Sequence, residues 1–147
     1  MKIIQLYQRI TDKINGLRDI SLVFFRLILA YGFYGPAMMK WGNLSGIADW
    51  FAGMGIPFPT LNAYLAASTE MAAVVLLPLG LFTRIISIPL MITMVVAIAT
   101  VHFGNGFEAG DNGFEIPLYY LLMLFALLVN GAGKMSLDHL ISRRIES

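Results

Sequence analysis

The sequence predicts an all-α fold embedded in a membrane. The first observation is composition: 58% of the 147 residues are hydrophobic and 13% are charged, where a soluble domain carries roughly a quarter charged residues. The second is patterning. Four apolar stretches, at about residues 20–40, 61–82, 85–102 and 115–131, approach the roughly 20 residues that a helix needs to cross ~30 Å of hydrocarbon. None alternates with the period of two that a barrel strand requires, and a backbone in lipid must satisfy its own hydrogen bonds, so the stretches read as helices of a compact four-helix bundle. The third is charge placement. Eight of the ten Lys and Arg residues fall in the N-terminal flank, at Arg84 and in the C-terminal tail. The positive-inside rule then puts both termini of this multi-pass chain in the cytoplasm.

Taken in order, residues 1–19 carry Ile3, Leu6, Tyr7, Ile10, Ile14 and Leu17 at helical spacing with Lys and Arg between them. This pattern predicts an amphipathic helix lying on the membrane surface. The first span follows it too late, and without a small-residue cleavage site, to be a signal peptide, so it is expected to be retained. Between spans one and two, Ile47, Trp50, Phe51 and Met54 predict a short interfacial helix over 45–54, after which Gly53 and Gly55 turn the chain. Thr60 is the expected cap of span two, just after Ile56-Pro57-Phe58-Pro59. Pro78 and Pro89 fall inside spans, where kinks are expected. Pro117 suits the first turn of span four, and Asn130 with Gly131 suits its end. Residues 132–147 predict a second amphipathic helix through Leu137, Leu140, Ile141 and Ile145. No internal repeat breaks the chain, which reads as a single domain over 1–147.

Composition also removes function classes. A net charge of +1 gives no basic field for nucleic acid. The absence of cysteine leaves no disulfide and no thiol chemistry, so any redox role needs a bound cofactor or a partner protein. No nucleotide-binding or hydrolase motif occurs.

Charged residues within spans demand a reason, because each costs roughly 2.5–3.5 kcal/mol at a helix centre. Arg26 shares a helix face with Ala30, Phe33, Ala37 and Lys40, and Glu70 shares one with Ala63, Ala66, Ala67 and Ala73. Small residues beside a charge mark a bundle interior. Arg26 and Glu70 are therefore expected to approach each other, either as an ion pair that fixes helix register or as a ligand-binding or proton-accepting carboxylate held by a cation. A second polar group, Lys40, His102, Glu108, Asp111 and Glu115, is expected at the outer end. Five of the six tyrosines, Tyr64 among them, fall in the outer halves of the spans. This lopsidedness favours an outward-facing pocket over a plain aromatic belt, and a quinone head group is a fitting occupant. His102 lacks the spacing of a metal ligand set, so no metal site is expected.

These features together resemble the DoxX family of small bacterial membrane proteins. The resemblance runs from about Leu22 to Asp138. It is carried by Arg26, Gly35 to Lys40, the loop Met54-Gly55-Ile56-Pro57-Phe58-Pro59, Glu70, Gly80-Leu81-Phe82-Thr83-Arg84, Glu115 and Gly131-Ala132-Gly133-Lys134-Met135-Ser136-Leu137-Asp138. It implies a likeness to the DoxD-like small subunit of thiosulfate:quinone oxidoreductase, and a link to quinones, sulfur compounds or oxidative stress. Arg26, Lys40, Glu70, Arg84 and Glu115 match the family's polar positions, with Arg84 expected to be structural. His102 and Tyr64 come from the residue reading alone.

Three functions stay open on this basis: a redox-associated component that binds quinone or a small ligand in the outer half of the bundle, as a subunit of a quinone-linked oxidoreductase or on its own; a non-catalytic anchor or assembly subunit for a soluble redox enzyme; and a small proton-linked transporter. No covalently bound cofactor is expected, lipid is the expected surroundings, and homo-oligomerisation is left open.

Overall fold

The structure is a computed structural model that describes residues 2–145. The first residue of the N-terminal segment and the last two of the tail lie outside the described residues. Seven α-helices are described: α1 (Lys2–Asn15), α2 (Arg18–Gly42), α3 (Leu44–Gly53), α4 (Pro59–Leu79), α5 (Thr83–Ala97), α6 (Glu115–Asn130) and α7 (Leu137–Ile145). Beyond α5 the chain widens into a π-helical turn over Ile98–His102 and tightens into a 3₁₀ turn over Phe103–Asn105, so the rod runs on to Asn105.

Three of the helical runs are long and apolar enough to cross a membrane: the run that contains α2, then α4, then α5 with its continuation. The fourth expected span, α6, is apolar but has only 16 residues, about 24 Å at ~1.5 Å per residue. Helix α2 packs along α4, α4 against α5, α5 along α6, and α6 back against α2. Chain directions alternate, so the start of α2, the end of α4, the start of α5 and the end of α6 share one end. Most of the Lys and Arg residues lie there, and it is called the Arg-rich end below.

The distribution of side chains is the inverse of a soluble bundle. Large apolar residues such as Phe24, Ile28, Leu65, Val75, Ile88, Ile92, Leu122 and Phe125 are exposed, while Arg26, Glu70, Thr83 and Ser87 are buried. Only a hydrocarbon surrounding makes that arrangement stable, since lipid accepts the apolar surface and excludes the charges. Between α2 and α4 the interface is built of small residues, Ala30 and Ala37 facing a helix that buries Ala63, Ala67 and Ala73. Helices approach closely where side chains are small, and that packing is what drives association in lipid. Leu29, Phe33, Leu77, Leu90, Leu124 and Leu127 fill the centre.

Several local expectations change. Helix α4 begins at Pro59, behind Phe58 in the left-handed conformation at φ 49°, with no side-chain cap. Thr60 is thus inside the first turn rather than at its cap, because proline's fixed φ already starts the helix. The short helix α3 does form, capped by the Asn43 side chain, whose Oδ1 accepts from Gly46 N at 3.1 Å. It packs against α4 through Ala48, Phe51 and Ala63. Pro36, unremarked in the spacing argument, lies inside α2 and removes the N–H that would reach the Gly32 carbonyl. At that same turn Gly32 lies against the Tyr120 ring, which meets Phe33 edge-on at 5.5 Å. Both amphipathic terminal helices form, and the apolar residues Ile3, Leu6, Tyr7, Ile10 and Ile14 of α1, and Leu140, Ile141 and Ile145 of α7, are uncovered by the rest of the chain.

Candidate functional site

The expected approach of Arg26 to Glu70 does not occur. Glu70 is paired with Lys40, whose Nζ donates to Oε1 at 3.0 Å and to Oε2 at 2.8 Å. The reason is the lean of helical side chains: Cα–Cβ bonds tilt toward the N-terminus of their own helix. Helix α2 starts at the Arg-rich end, so Arg26 and Lys40 both lean toward that end. Helix α4 starts at the opposite end, so Glu70 leans the other way. Lys40 and Glu70 thus reach toward each other, whereas Arg26 and Glu70 reach apart.

The Lys40–Glu70 pair is shut between α2 and α4, with side-chain exposures of 12% for Lys40 and 3% for Glu70. The small neighbours on both helices, Ala37, Ala63, Ala67 and Ala73, are fully buried and leave room for the two longer side chains. Beside the pair, Trp41 Nε1 donates to the Ala67 carbonyl at 3.1 Å, and the Trp41 and Tyr64 rings meet edge-on with centroids 6.3 Å apart. Trp41 and Tyr64 are 42% and 48% exposed, so this aromatic pair faces the lipid directly beside the buried charges. A bidentate contact occupies both carboxylate oxygens but leaves the ammonium, with three donors, able to reach a further acceptor.

Arg26 belongs to a different assembly. The residue is 1% exposed. Nη1 donates to the carbonyls of Leu77 and Pro78 at 3.3 and 3.2 Å, and Nη2 to that of Met135 at 2.7 Å. Leu77 and Pro78 are among the last residues of α4, whose carbonyls have no partner within the helix, and a cation there also suits the negative end of the helix dipole. Gly80, with φ 62°, closes the helix, and a side chain there would collide with the Arg26 guanidinium and with Ser136. The next turn is secured from far along the chain. Asp138 accepts from Phe82 N at 2.7 Å and Thr83 N at 3.0 Å, capping α5, while its own N–H donates to Gly80 O at 3.0 Å. Arg84 donates to Val129 O at 3.2 Å. The glycine-rich segments singled out in the sequence therefore meet at one clamp, with Arg26 at its centre.

The outer polar group is divided as well. His102 Nδ1 pairs with Asn112 O at 2.9 Å, and Glu115 accepts from Ala109 N and from the Tyr119 hydroxyl, each at 3.0 Å. Both residues thereby hold the 103–114 loop, and neither forms a hydrogen bond or ion pair with Lys40 or Glu70. Tyr31 and Tyr34 are exposed on α2 and do not converge on the pair. Among the described residues no group of three or more His, Asp or Glu side chains could hold a metal. Sequence reasoning missed Asp138 as a cap, because its partners lie more than fifty positions away. Trp41 was equally missed, although its place next to Lys40 was a usable signal.

The DoxX family model matches residues 21–103, which include Arg26, Lys40, Glu70 and Arg84. A protein of Haemophilus influenzae is 34% identical over 140 residues, covering 89% of this chain and 90% of its own length. The putative oxidoreductase CatD of Bacillus subtilis is 29% identical over 126 residues, covering 84% and 89%. The inner membrane protein YphA of Escherichia coli is 29% identical over 132 residues, covering 84% and 92%. No solved structure matches the chain.

Proposed function

The chain belongs to the DoxX family, and from that membership we propose that it is a redox-associated, multi-pass inner-membrane protein that takes a quinone, or a similar carbonyl ligand, from the lipid at the Lys40–Glu70 pair. One observation carries the reading: a bidentate ion pair is buried between α2 and α4 directly beside a lipid-exposed Trp41–Tyr64 pair. Two charges in a span need compensation, and register alone could be fixed by packing at lower cost. A quinone is itself an apolar ring with carbonyl acceptors at its edge. Its ring suits the indole and phenol faces, its carbonyl suits the remaining ammonium donor of Lys40, and Glu70 is placed to exchange a proton as quinone becomes quinol. The reduction consumes two electrons and two protons. The chain has no cysteine, and its residues supply binding, orientation and proton handling while a redox enzyme partner supplies the electrons. The putative oxidoreductase CatD among its relatives supports a redox setting.

In this reading residues 1–147 form one domain, α6 completes a four-span bundle despite its length, and the Arg-rich end is cytoplasmic with both termini. His102 and Glu115 shape the outer loop, and Tyr64 with Trp41 forms the ligand's apolar wall. Native mass spectrometry of the gently extracted protein, with released small molecules identified, tests it. Bound quinone in the wild type that disappears in Lys40→Ala and Glu70→Gln is the expected result. Quinone retained equally by both variants would move the site elsewhere.

A second reading rests on a separate observation: the terminal helices α1 and α7 expose apolar stripes that nothing in the chain covers. They would lie on the cytoplasmic membrane surface and hold a soluble redox enzyme there. A ligand-free spectrum carrying a stoichiometric soluble protein would favour this anchor role over the first reading.

A further inference from the structure

At the Arg-rich end, where the starts of α2 and α5 meet the turn joining α6 to α7, a cavity of about 610 Å³ opens. Its charged lining includes Arg18, Arg84 and Lys134 against Asp19 and Asp138. Both carboxylates are already engaged by backbone donors. Lys134 N donates to Asp19 Oδ1 at 2.9 Å, and Asp138 caps α5 through Phe82 N and Thr83 N. The cations are not matched in that way. Arg18 donates to the Asn130 side-chain oxygen at 2.7 Å, and Arg84 to the Val129 carbonyl. These acceptors are neutral, and the Lys134 side chain makes no hydrogen bond or ion pair among the described residues. Two guanidinium groups and an ammonium share one opening with most of their donors unspent.

Arg84 is also placed against its own helix. It occupies the first turn of α5, which holds no acidic residue, where the positive end of the dipole favours an anion and opposes a cation. The chain nevertheless holds it there: Gly131, at φ 74°, lies against the guanidinium, and a Cβ at that position would come 3.3 Å from Arg84 Nε. Asp138 already supplies one anion to that helix end, and a further bound anion would answer the guanidinium that it leaves unmatched.

A second cavity says what kind of anion. One turn along α5 from the Ile85 wall of the polar opening, an apolar furrow of about 360 Å³ is lined by Ile88, Met91, Ile92, Val95, Val96 and Leu128. No polar surface lines it. Ile85, between the two, is exposed. A polar basic opening at the end of the spans, continued by an apolar furrow down their lipid-facing side, has the shape of an amphiphile.

We propose that the two cavities together bind one anionic phospholipid, with its phosphate held by Arg18, Arg84 and Lys134 and an acyl chain laid in the α5–α6 furrow. Basic recesses between membrane helices at the headgroup level bind acidic lipids by this chemistry. The site is separate from the Lys40–Glu70 pair, which lies toward the opposite end of the bundle.

Native mass spectrometry of the full chain, offered phosphatidylglycerol and phosphatidylcholine in equal amounts, tests the proposal. Phosphatidylglycerol is expected to stay bound in preference, with Arg18→Gln/Arg84→Gln weakening it on the order of 30-fold and Lys134→Gln about 5-fold. Phosphatidylcholine adducts should be unchanged. Lys134→Gln removes no contact that the fold uses, so it decides the matter if the double variant fails to fold. Equal retention of the two lipids by wild type, or phosphatidylglycerol retention indifferent to Lys134→Gln, overturns the proposal. Loss of the lipid adduct to inorganic phosphate, with the phosphate itself bound in its place, would show a free-anion site and overturn it too.

Discussion

At the level of single residues, the direction of a side chain decides partnership more firmly than depth in the membrane does. Arg26 and Lys40 occupy the same face of α2, yet only Lys40 reaches Glu70, because α2 and α4 lean their side chains in opposite senses. Removing one member of a buried pair leaves the other uncompensated, so Lys40→Ala should cost about 3–5 kcal/mol of stability. Replacing both, as in Lys40→Met/Glu70→Leu, should recover most of that loss in a thermal melt of the extracted protein. A double variant no more stable than Lys40→Ala would mean that the pair is not what the interior compensates. Gly32 gives a steric counterpart. A methyl group there would collide with the Tyr120 hydroxyl, so Gly32→Ala should destabilise by about 1–3 kcal/mol. Adding Tyr120→Leu should relieve it. The sequence made Arg26 and Glu70 conspicuous as charges in apolar spans, but spacing along one helix carries no information on the lean of its neighbour.

At the level of elements, the Arg-rich end shows how a short bundle fastens its helix ends in lipid. Helix α4 loses its last carbonyls to Arg26, and α5 gains its first cap from Asp138, some fifty-five residues later in the chain. Loss of a side-chain cap costs ~0.5–2 kcal/mol, so Asp138→Ala should lower the melting temperature without affecting the Lys40–Glu70 site. Asp138→Asn, which keeps an acceptor, should fall between the two. An unchanged melt in Asp138→Ala would remove the capping role. The spans themselves were legible, because runs of apolar residues and their flanking turn residues are local signals. The second and third spans fall within three residues of α4 and of the rod that α5 begins. The fourth, expected over 115–131, is α6 over Glu115–Asn130, and the Asn130-Gly131 signal marks its end. The clamp was visible only as a set of glycine-rich segments without an evident purpose. Its bonds join the end of α4 to the segment before α7, and no local pattern records such a contact.

For the whole molecule, charges and small residues lie inside and large apolar residues outside, which assigns the surroundings before any function is considered. The proposed topology, with both termini cytoplasmic, can be checked simply, because the native chain has no cysteine. Single cysteines introduced near residue 10 and near residue 143 should react with an impermeant reagent only from the cytoplasmic side, and one at residue 110 only from the opposite side. Labelling of residues 10 and 143 from different sides would break the four-span arrangement. In the proposed function the Lys40–Glu70 pair, and not Arg26, receives a ligand from the lipid. The most direct measurement is quenching of Trp41 fluorescence by a quinone in lipid nanodiscs, with Trp50→Phe as background to leave one indole. Saturable quenching that Glu70→Gln abolishes while the protein stays folded is the expected result. Quenching that rises linearly with quinone, identical with and without Glu70, would contradict it.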